Sequence, residues 1–381
     1  MRVLFSSTRG AGHFLPLVPV IDACRRRGHE VMVTGPRPLA DTVADAGYDF
    51  WEFDLPPQDE LDEIWARVPT LPLEEQNEIV VGQIFGRLDT TAAFPRVSDA
   101  CEEFRPDLIV REMSEFGSAL AAERHGIPCV RVGFGLGFME ALSLGIAGGP
   151  LDTVRESFGL AADPGAERLR RSPFLTVFPE SLEDPAEREQ PDTRRFSDPA
   201  WDEPAAELPD WWPGDDGPLV YVTFGSVAGG FEMMRQLYAG AIEAIGALPV
   251  RMLLTVGREL DPADLGEPPG NVRVERWVHQ AEVLARAAVV VCHGGSGSTL
   301  GALAAGLPLV VVPLFADQPY NAARVQAVGA GTVVQPPAPP AIAEAVLRVL
   351  EGGPYRAAAE AIAAELRSQP PVDEIVVGLE T

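Results

Sequence analysis

The sequence contains no lysine: all 30 basic residues are arginines. This absence excludes three kinds of chemistry, namely a P-loop phosphate lysine, a Schiff-base lysine and a lysine general base. Basic residues are also outnumbered, because 56 acidic residues give a formal charge of −26 at pH 7. Nucleic acids and anionic lipids are bound through basic patches, so we expect neither nucleic acid nor a membrane as a partner.

Cysteines and long apolar runs are also scarce. The four cysteines, Cys24, Cys101, Cys129 and Cys292, are widely scattered without a C-x-x-C pair, which favours reduced core residues over disulfides or zinc. The longest apolar runs, such as LPLVVVPLFA, have about ten residues, well short of a membrane span. The start, MRVLFSSTRGAGH, turns polar after five residues and so lacks a signal-peptide apolar region. We therefore expect a soluble, cytoplasmic protein with no bound metal.

What the sequence does contain is a repeated alternation of strands and helices. RVLFSS has the pattern of a buried strand, LPLVPVIDACRRRG has helical spacing with a stop at Gly28, and HEVMVTG is the next strand. The same order returns at RPDLIVRE and again from LVYVTFGS onward. This alternation predicts an α/β protein with parallel sheets and right-handed crossovers.

A proline- and acid-rich stretch interrupts this pattern, which restarts after it. The length of 381 residues also favours more than one domain. We therefore predict an N-terminal Rossmann-like domain at 1–200, an interdomain strap at 183–218, a C-terminal Rossmann-like domain at 218–360 and a tail at 361–381, whose return to the first domain is left open.

Two segments of the first half fit the alternation poorly. Residues 55–96 suit a helical excursion, and GFGLGFMEALSLGIAGGPL, at 133–151, is apolar and rich in glycine. Either segment could line a pocket for an apolar ligand or simply pack against the sheet.

The most informative stretch is HGGSGST, at 293–299, which follows the strand AVVVC and precedes a helix predicted to begin near Ser298. In an open parallel sheet, ligands bind beyond the carboxyl ends of strands, where the first turn of a helix offers unpaired N–H groups. The glycines allow an anion to approach the backbone, and the hydroxyls add donors. The stretch therefore predicts a diphosphate site without lysine or metal. An ordinary capped strand–helix turn is the alternative.

Two flanking pairs strengthen this prediction. Trp277 and Val278 follow a predicted strand, and the indole could offer its face to a nucleobase. Asp317 and Gln318 follow the next strand after the helix and supply acceptors and donors suited to sugar hydroxyls. Core packing of Trp277 and helix capping by Asp317 are the alternatives.

The ensemble resembles the nucleotide-sugar signature of inverting glycosyltransferases of the GT-B architecture, especially the bacterial enzymes that glycosylate antibiotics, macrolides and other natural products. The resemblance is carried by GAGHFLPLVPV, by PAW and LPDWWP in the strap, by LVYVTFGS and by residues 276–321. It implies two Rossmann-like domains whose parallel sheets face each other across a cleft. The first domain would bind the acceptor, and the second would bind the nucleotide sugar.

The resemblance also implies the substrates and the donor contacts. The donor would be a dTDP-deoxysugar, with a UDP-hexose as second choice, and the acceptor a hydroxyl on an apolar small molecule. No cofactor and no metal would be needed. The implied donor-binding residues are Ser226, Trp277, Val278, Gln280, His293, Gly295, Ser296, Gly297, Ser298, Thr299, Asp317 and Gln318.

In the first half, the resemblance makes His13 the general base that takes the proton of the acceptor hydroxyl. Such a base usually works with a carboxylate that holds its tautomer. Relatives often have aspartate there, whereas this chain has Glu112, with Glu115 three residues later. We favour Glu112 as the partner of His13.

Two other functions stay open at this point. An inactive relative could bind a nucleotide sugar or assist a partner transferase, and the missing aspartate fits that reading. A sugar-nucleotide epimerase would need further acid–base residues around the sugar, which the sequence does not reveal. Whether the chain forms a homodimer also stays open.

Overall fold

The computed structural model describes residues 1–187, 190–201, 208–214, 217–225 and 232–380, with residues 232 and 233 described by their backbone alone. The chain forms two compact units. The first unit comprises Met1–Phe178, Glu183–Pro199 and Gln369–Thr381, and the second comprises Pro179–Leu182 and Ala200–Ser368.

The first unit contains a seven-stranded sheet in the order β3-β2-β1-β4-β5-β6-β7, and all of its pairings are parallel. Its strands are β1 (Arg2–Ser6), β2 (Glu30–Pro36), β3 (Asp49–Phe53), β4 (Leu108–Glu112), β5 (Cys129–Val132), β6 (Phe174–Thr176) and β7 (Thr193–Arg195). Apolar side chains from both faces of the central strands are buried, as expected for a parallel sheet covered by helices on both sides.

The helices of this unit include the excursion expected at 55–96. In chain order they are α1 (Ala11–Phe14), α2 (Val18–Arg26), α3 (Ala40–Asp45), α4 (Gln58–Arg67), α5 (Leu73–Asn77), a π-helix (Glu78–Asp89), α6 (Thr90–Phe104), α7 (Gly117–His125), α8 (Gly137–Ser157) and α9 (Glu167–Arg170). The π-helix packs closely on α8, since a Cβ added at Gly86 would lie 3.3 Å from the Cβ of Ala147. The two irregular segments therefore pack against each other.

The second unit contains a six-stranded parallel sheet in the order β10-β9-β8-β11-β12-β13. Its strands are β8 (Leu219–Thr223), β9 (Arg251–Thr255), β10 (Val272–Glu275), β11 (Ala287–Cys292), β12 (Leu309–Val311) and β13 (Gly331–Val333). Its helices are α10 (Glu232–Gly246), α11 (Gln280–Leu284), α12 (Ser296–Ala304), α13 (Gln318–Ala327), α14 (Pro339–Glu351) and α15 (Gly353–Ser368). The predicted α/β class with parallel sheets is confirmed.

After α15 the chain re-enters the first unit, where α16 (Val372–Val377) packs on α2. Ion pairs hold this tail: Arg26 pairs with Asp373 at 2.7 Å, while Arg27 and His29 both contact Glu380, at 2.7 and 2.8 Å. Residues 369–380 are therefore part of the first unit.

Both sheets reverse their winding at one point. In the first unit the order reverses between β1 and β4, and in the second between β8 and β11. The carboxyl ends of strands at such a switch point flank a crevice, which is where open α/β sheets bind ligands. In each unit, the loops after these two strands are therefore the place to look for a site.

All four cysteines are free. Among the described residues, no helix is both long and apolar enough to cross a membrane. Within the same part of the chain, no group of three His, Cys, Asp or Glu side chains is arranged to hold a metal ion.

Candidate active site

His13 lies at the switch point of the first sheet, in the short helix α1 that follows β1. Gly10 adopts φ 103° immediately before α1, a conformation that glycine tolerates and other residues rarely adopt. The imidazole is 23% exposed and is flanked by two aromatic rings, with centroid distances of 5.5 Å to Phe85 and 4.6 Å to Phe134. The ring is therefore partly buried between two aromatic side chains.

Glu112 ends β4 and is fully buried. Its Oε1 lies 3.3 Å from Nδ1 of His13 and accepts a hydrogen bond from the Thr8 hydroxyl at 2.9 Å. Its Oε2 accepts from the backbone N–H of Ser114 at 2.6 Å. Burial by itself would raise the pKa of Glu112, but the neighbouring His13 and these hydrogen bonds outweigh it and hold the pKa below its ordinary value. The carboxylate therefore stays ionised at neutral pH.

Glu115 serves a different purpose. Its carboxyl accepts hydrogen bonds from the backbone N–H and the hydroxyl of Ser118, in the first turn of α7, and burial raises its pKa. The structure therefore brings Glu112, and not Glu115, to His13.

In the second unit, the turn after β11 has the shape expected of an anion site. Gly294 has φ 88°, and Gly295 directly precedes α12. The helix begins at Ser296, two residues earlier than predicted, so the N–H groups of Ser296, Gly297 and Ser298 belong to its first turn. A Cβ added at Gly297 would meet none of the described residues within 4 Å, so this position of the turn is open in the part of the chain that the structure describes.

Thr299 is more deeply buried than Ser296, Gly297 and Ser298. It is 1% exposed, and its N–H donates to the Gly295 carbonyl at 3.0 Å. Its predicted contact with the donor stays a prediction.

The side chain of His293 packs beneath this turn. A Cβ added at Gly225 would lie 3.0 Å from His293 Cε1, and one added at Gly295 would overlap His293 Nε2. Burial lowers the pKa of His293 to about 4, although a backbone hydrogen bond to Thr223 opposes this shift. His293 is therefore neutral at physiological pH and fills the space that the two glycines leave.

Asp317 precedes α13, but its side chain does not cap that helix. Instead, Asp317 Oδ2 accepts from the Ser296 hydroxyl at 3.0 Å and from the Asn321 amide at 2.9 Å. The same Asn321 amide donates to the Gly294 carbonyl at 2.9 Å. Asn321 thus ties the glycine-rich turn to α13. The sequence analysis missed it, although its position four residues after Asp317 places both on one helix face.

Gln318 is 4% exposed, and its Oε1 accepts from the backbone N–H groups of Leu314 and Phe315 at 2.9 and 3.1 Å. The amide oxygen is therefore occupied in holding the loop after β12. This loop also contains Ala316 at φ 57°, an uncommon conformation for a residue other than glycine.

Three of the remaining residues predicted to contact the donor, Trp277, Val278 and Gln280, lie between β10 and α12, and the fourth, Ser226, follows β8. Trp277 is 62% exposed, which excludes the core-packing alternative, and Val278 beside it is half-buried. Gln280 begins α11 and reaches Gly301 of α12, since a Cβ added there would lie 3.3 Å from Gln280 Oε1. Ser226, after β8, lies outside the described residues.

Substitution of Asn321 by alanine tests this network. We expect N321A to lower the free energy of unfolding by about 1–3 kcal/mol, because it leaves the buried Gly294 carbonyl without its donor. Denaturant unfolding monitored by tryptophan fluorescence measures the change. Gln326→Ala, on the same helix, is the control, and equal stability of the two variants would contradict the proposed link.

The two parallel-sheet α/β units, each with a candidate site at its switch point, match the GT-B fold. Comparison with known proteins identifies the family. Residues 240–381 match the model of the erythromycin biosynthesis protein CIII-like C-terminal domain. Over its whole length the chain is 31% identical to the elloramycin glycosyltransferase ElmGT of Streptomyces olivaceus, covering 97% of that protein. The chain therefore belongs to the bacterial natural-product glycosyltransferases.

Solved structures agree with this assignment. The crystal structure of the calicheamicin glycosyltransferase is 26% identical, with a TM-score of 0.81 over 100% of this chain and 97% of that one. The glycosyltransferase VinC, solved in complex with dTDP, is 23% identical with a TM-score of 0.80, covers 100% and 98% of the two chains, and shares the fold. As a member of this family, the chain transfers a sugar from a nucleotide sugar to a natural product.

Proposed function

We propose that the enzyme inverts the configuration of the transferred sugar, with His13 as general base, and that it needs no metal ion. The observation that carries this proposal is the contact between His13 and the buried, ionised Glu112, 3.3 Å apart. A carboxylate on Nδ1 fixes the tautomer and stabilises the imidazolium that forms during the reaction. Nε2 would then take the acceptor proton.

The reaction is a single displacement. The acceptor oxygen loses its proton to His13 and attacks the anomeric carbon, while the bond from that carbon to the diphosphate oxygen breaks. The nucleoside diphosphate leaves with the bonding electrons. Because the nucleophile enters opposite the leaving group, the product has the inverted configuration.

The first turn of α12 would hold the diphosphate. Its backbone N–H groups and the positive end of the helix favour negative charge, and the charge on the leaving group grows as the glycosidic bond breaks. The uncovered position at Gly297 allows the anion to approach the backbone. These features would stabilise the negative charge of the leaving diphosphate, as a lysine or a divalent cation does in other nucleotide-binding sites.

Other contacts follow from the geometry around this turn. The exposed indole of Trp277 would stack on the nucleobase, and Asp317 and the NH₂ of Gln318 would bind sugar hydroxyls. The dTDP in the VinC crystal supports a dTDP-deoxysugar as donor, with a UDP-hexose second. Phe85 and Phe134 favour an apolar, aromatic acceptor beside His13.

Product analysis tests this function. The protein is incubated with dTDP- or UDP-sugars and a panel of phenolic and macrolide acceptors, and products are detected by mass spectrometry. From an α-linked donor we expect a β-linked product, read from the anomeric proton coupling, and the same rate in EDTA as in magnesium.

Three results would contradict the proposal. Retention of configuration would exclude the single displacement, and loss of turnover in EDTA, restored by magnesium, would exclude metal independence. Nucleotide binding without transfer or donor hydrolysis would instead favour the inactive relative.

A further inference from the structure

A buried arginine lies directly beneath the proposed catalytic pair. Arg111 precedes Glu112 on β4, and its side chain is on the opposite face of the sheet, fully buried. Its Nη1 donates to three backbone carbonyls, those of Glu112 at 3.0 Å, Met113 at 2.8 Å and Glu115 at 3.2 Å. The turn at 112–115 is thus folded around one guanidinium nitrogen.

This turn determines where the Glu112 carboxylate lies. The N–H of Ser114, within the turn, donates to Glu112 Oε2 at 2.6 Å, and Glu112 Oε1 is then 3.3 Å from His13. Met113, Ser114 and Glu115 are all nearly buried, so carbonyls of this turn that lost Arg111 would have little access to water. A glutamate also has one more rotatable bond than an aspartate and needs more restraint to hold one position.

We propose that Arg111 is a positioning residue for catalysis: it fixes the turn that holds Glu112 against His13. This inference rests on the proposed role of His13 as the base. Arg111 is buried and contacts the backbone of the turn, so it acts through that backbone.

The neighbouring strand offers a matched control. Arg131 on β5 is in register with Arg111 and is equally buried. Each guanidinium stacks on a phenylalanine at 5.4 Å, Arg111 on Phe116 and Arg131 on Phe174. Both lie near Glu140, with N–O distances of 3.9 Å from Arg111 and 2.8 Å from Arg131.

The two arginines differ in what else they hold. Arg131 donates to the carbonyls of Arg170 and Ser172, far from the pair. If Arg111 had a purely structural role, R111M and R131M would lose similar amounts of stability and of kcat. A positioning role predicts a catalytic loss for R111M alone.

We expect R111M to lower kcat by about 10²-fold, the effect of a small misplacement of a reacting group, without changing the affinity for dTDP. The acid limb of its pH–rate profile should move to lower pH, as in E112Q, because the imidazolium loses its neighbouring negative charge. R131M should lose stability but keep both kcat and the acid limb. In an E112Q background, R111M should cause no further loss of kcat.

Another ion pair near His13 needs its own control. Asp89 of the π-helix pairs with Arg9 and is influenced by His13, and burial raises its pKa to about 6. Glu115 is also near Asp89. All pH–rate profiles are therefore compared between variants that retain Asp89. The D89N variant is measured in parallel to show how much of the acid limb depends on the titration of Asp89.

A second readout does not depend on turnover. The imidazole ¹⁵N shifts of His13 report its tautomer, and R111M should lose the Nδ1–H preference that Glu112 imposes, whereas R131M should keep it. If H13A leaves turnover unchanged, the proposed function fails, yet the tautomer still tests the positioning. Should R111M not fold, R111Q is used instead, because its shorter, uncharged side chain does not reach the three carbonyls. Equal loss of kcat in R111M and R131M, or an unchanged His13 tautomer in the Arg111 variant, would overturn the inference.

Discussion

Replacement of His13 by alanine should lower kcat by about 10²- to 10⁴-fold, the usual contribution of a general base. Binding of dTDP or UDP should stay unchanged, because the proposed nucleotide contacts are all in the second unit. In this variant Glu112 loses the two largest effects that lower its pKa, both of which come from His13, and has no imidazole to orient. Turnover by coupled nucleotide release and affinity by calorimetry measure the two effects separately.

The matched control is H125A. His125 is in the same unit but contacts Ser98, at 2.7 Å, and lies at the end of α7. We expect this variant to turn over at the wild-type rate. If H13A and H125A have similar kcat values, His13 is not the base.

Substitution of Gly295 by alanine should weaken nucleotide binding by about tenfold or more, equivalent to at least about 1.4 kcal/mol. The new Cβ would overlap Nε2 of His293. That ring cannot easily retreat, because it is half-buried, hydrogen-bonded to the Thr223 backbone and beside Gly225. The loop before α12 must therefore move, and the N–H groups of the first helical turn of α12 move with it.

Calorimetric titration with dTDP measures this effect. G270A is the control, since a Cβ at Gly270 in the same unit meets nothing within 4 Å, and it should bind like the wild type. Unchanged affinity in G295A would show that the diphosphate does not depend on the position of this turn.

The sequence predicted the parallel strands where apolar runs were long, as in β1, β4, β8 and β11. It did not identify β3, β6, β7 and β13. Three of these strands, β6, β7 and β13, have only three residues each, and β7, Thr193–Arg195, contains no apolar residue. Such strands form because a neighbouring strand offers hydrogen bonds, and that is a tertiary effect.

The candidate site also contains some features that could be predicted from the sequence and others that depend on tertiary structure. The glycine-rich turn could be recognised from residue types and spacing, whereas the role of His13 was predicted from the resemblance to inverting glycosyltransferases. The pairing of His13 with Glu112 instead of Glu115 depends on which carboxylate the turn at 112–115 directs toward β1. Asn321, Arg111 and the two phenylalanines beside His13 come from distant parts of the chain, so only the folded structure shows their roles.

Binding of the diphosphate by backbone amides of a lysine-free helix start is the central claim, and amide NMR tests it most directly. Protein labelled with ¹⁵N-glycine and ¹⁵N-serine is titrated with dTDP in EDTA, and G297A assigns the Gly297 signal. The account predicts that the amides of Ser296, Gly297 and Ser298 shift together with saturation. Saturable dTDP binding that leaves these amides unmoved, or binding that appears only when magnesium is added, would contradict it.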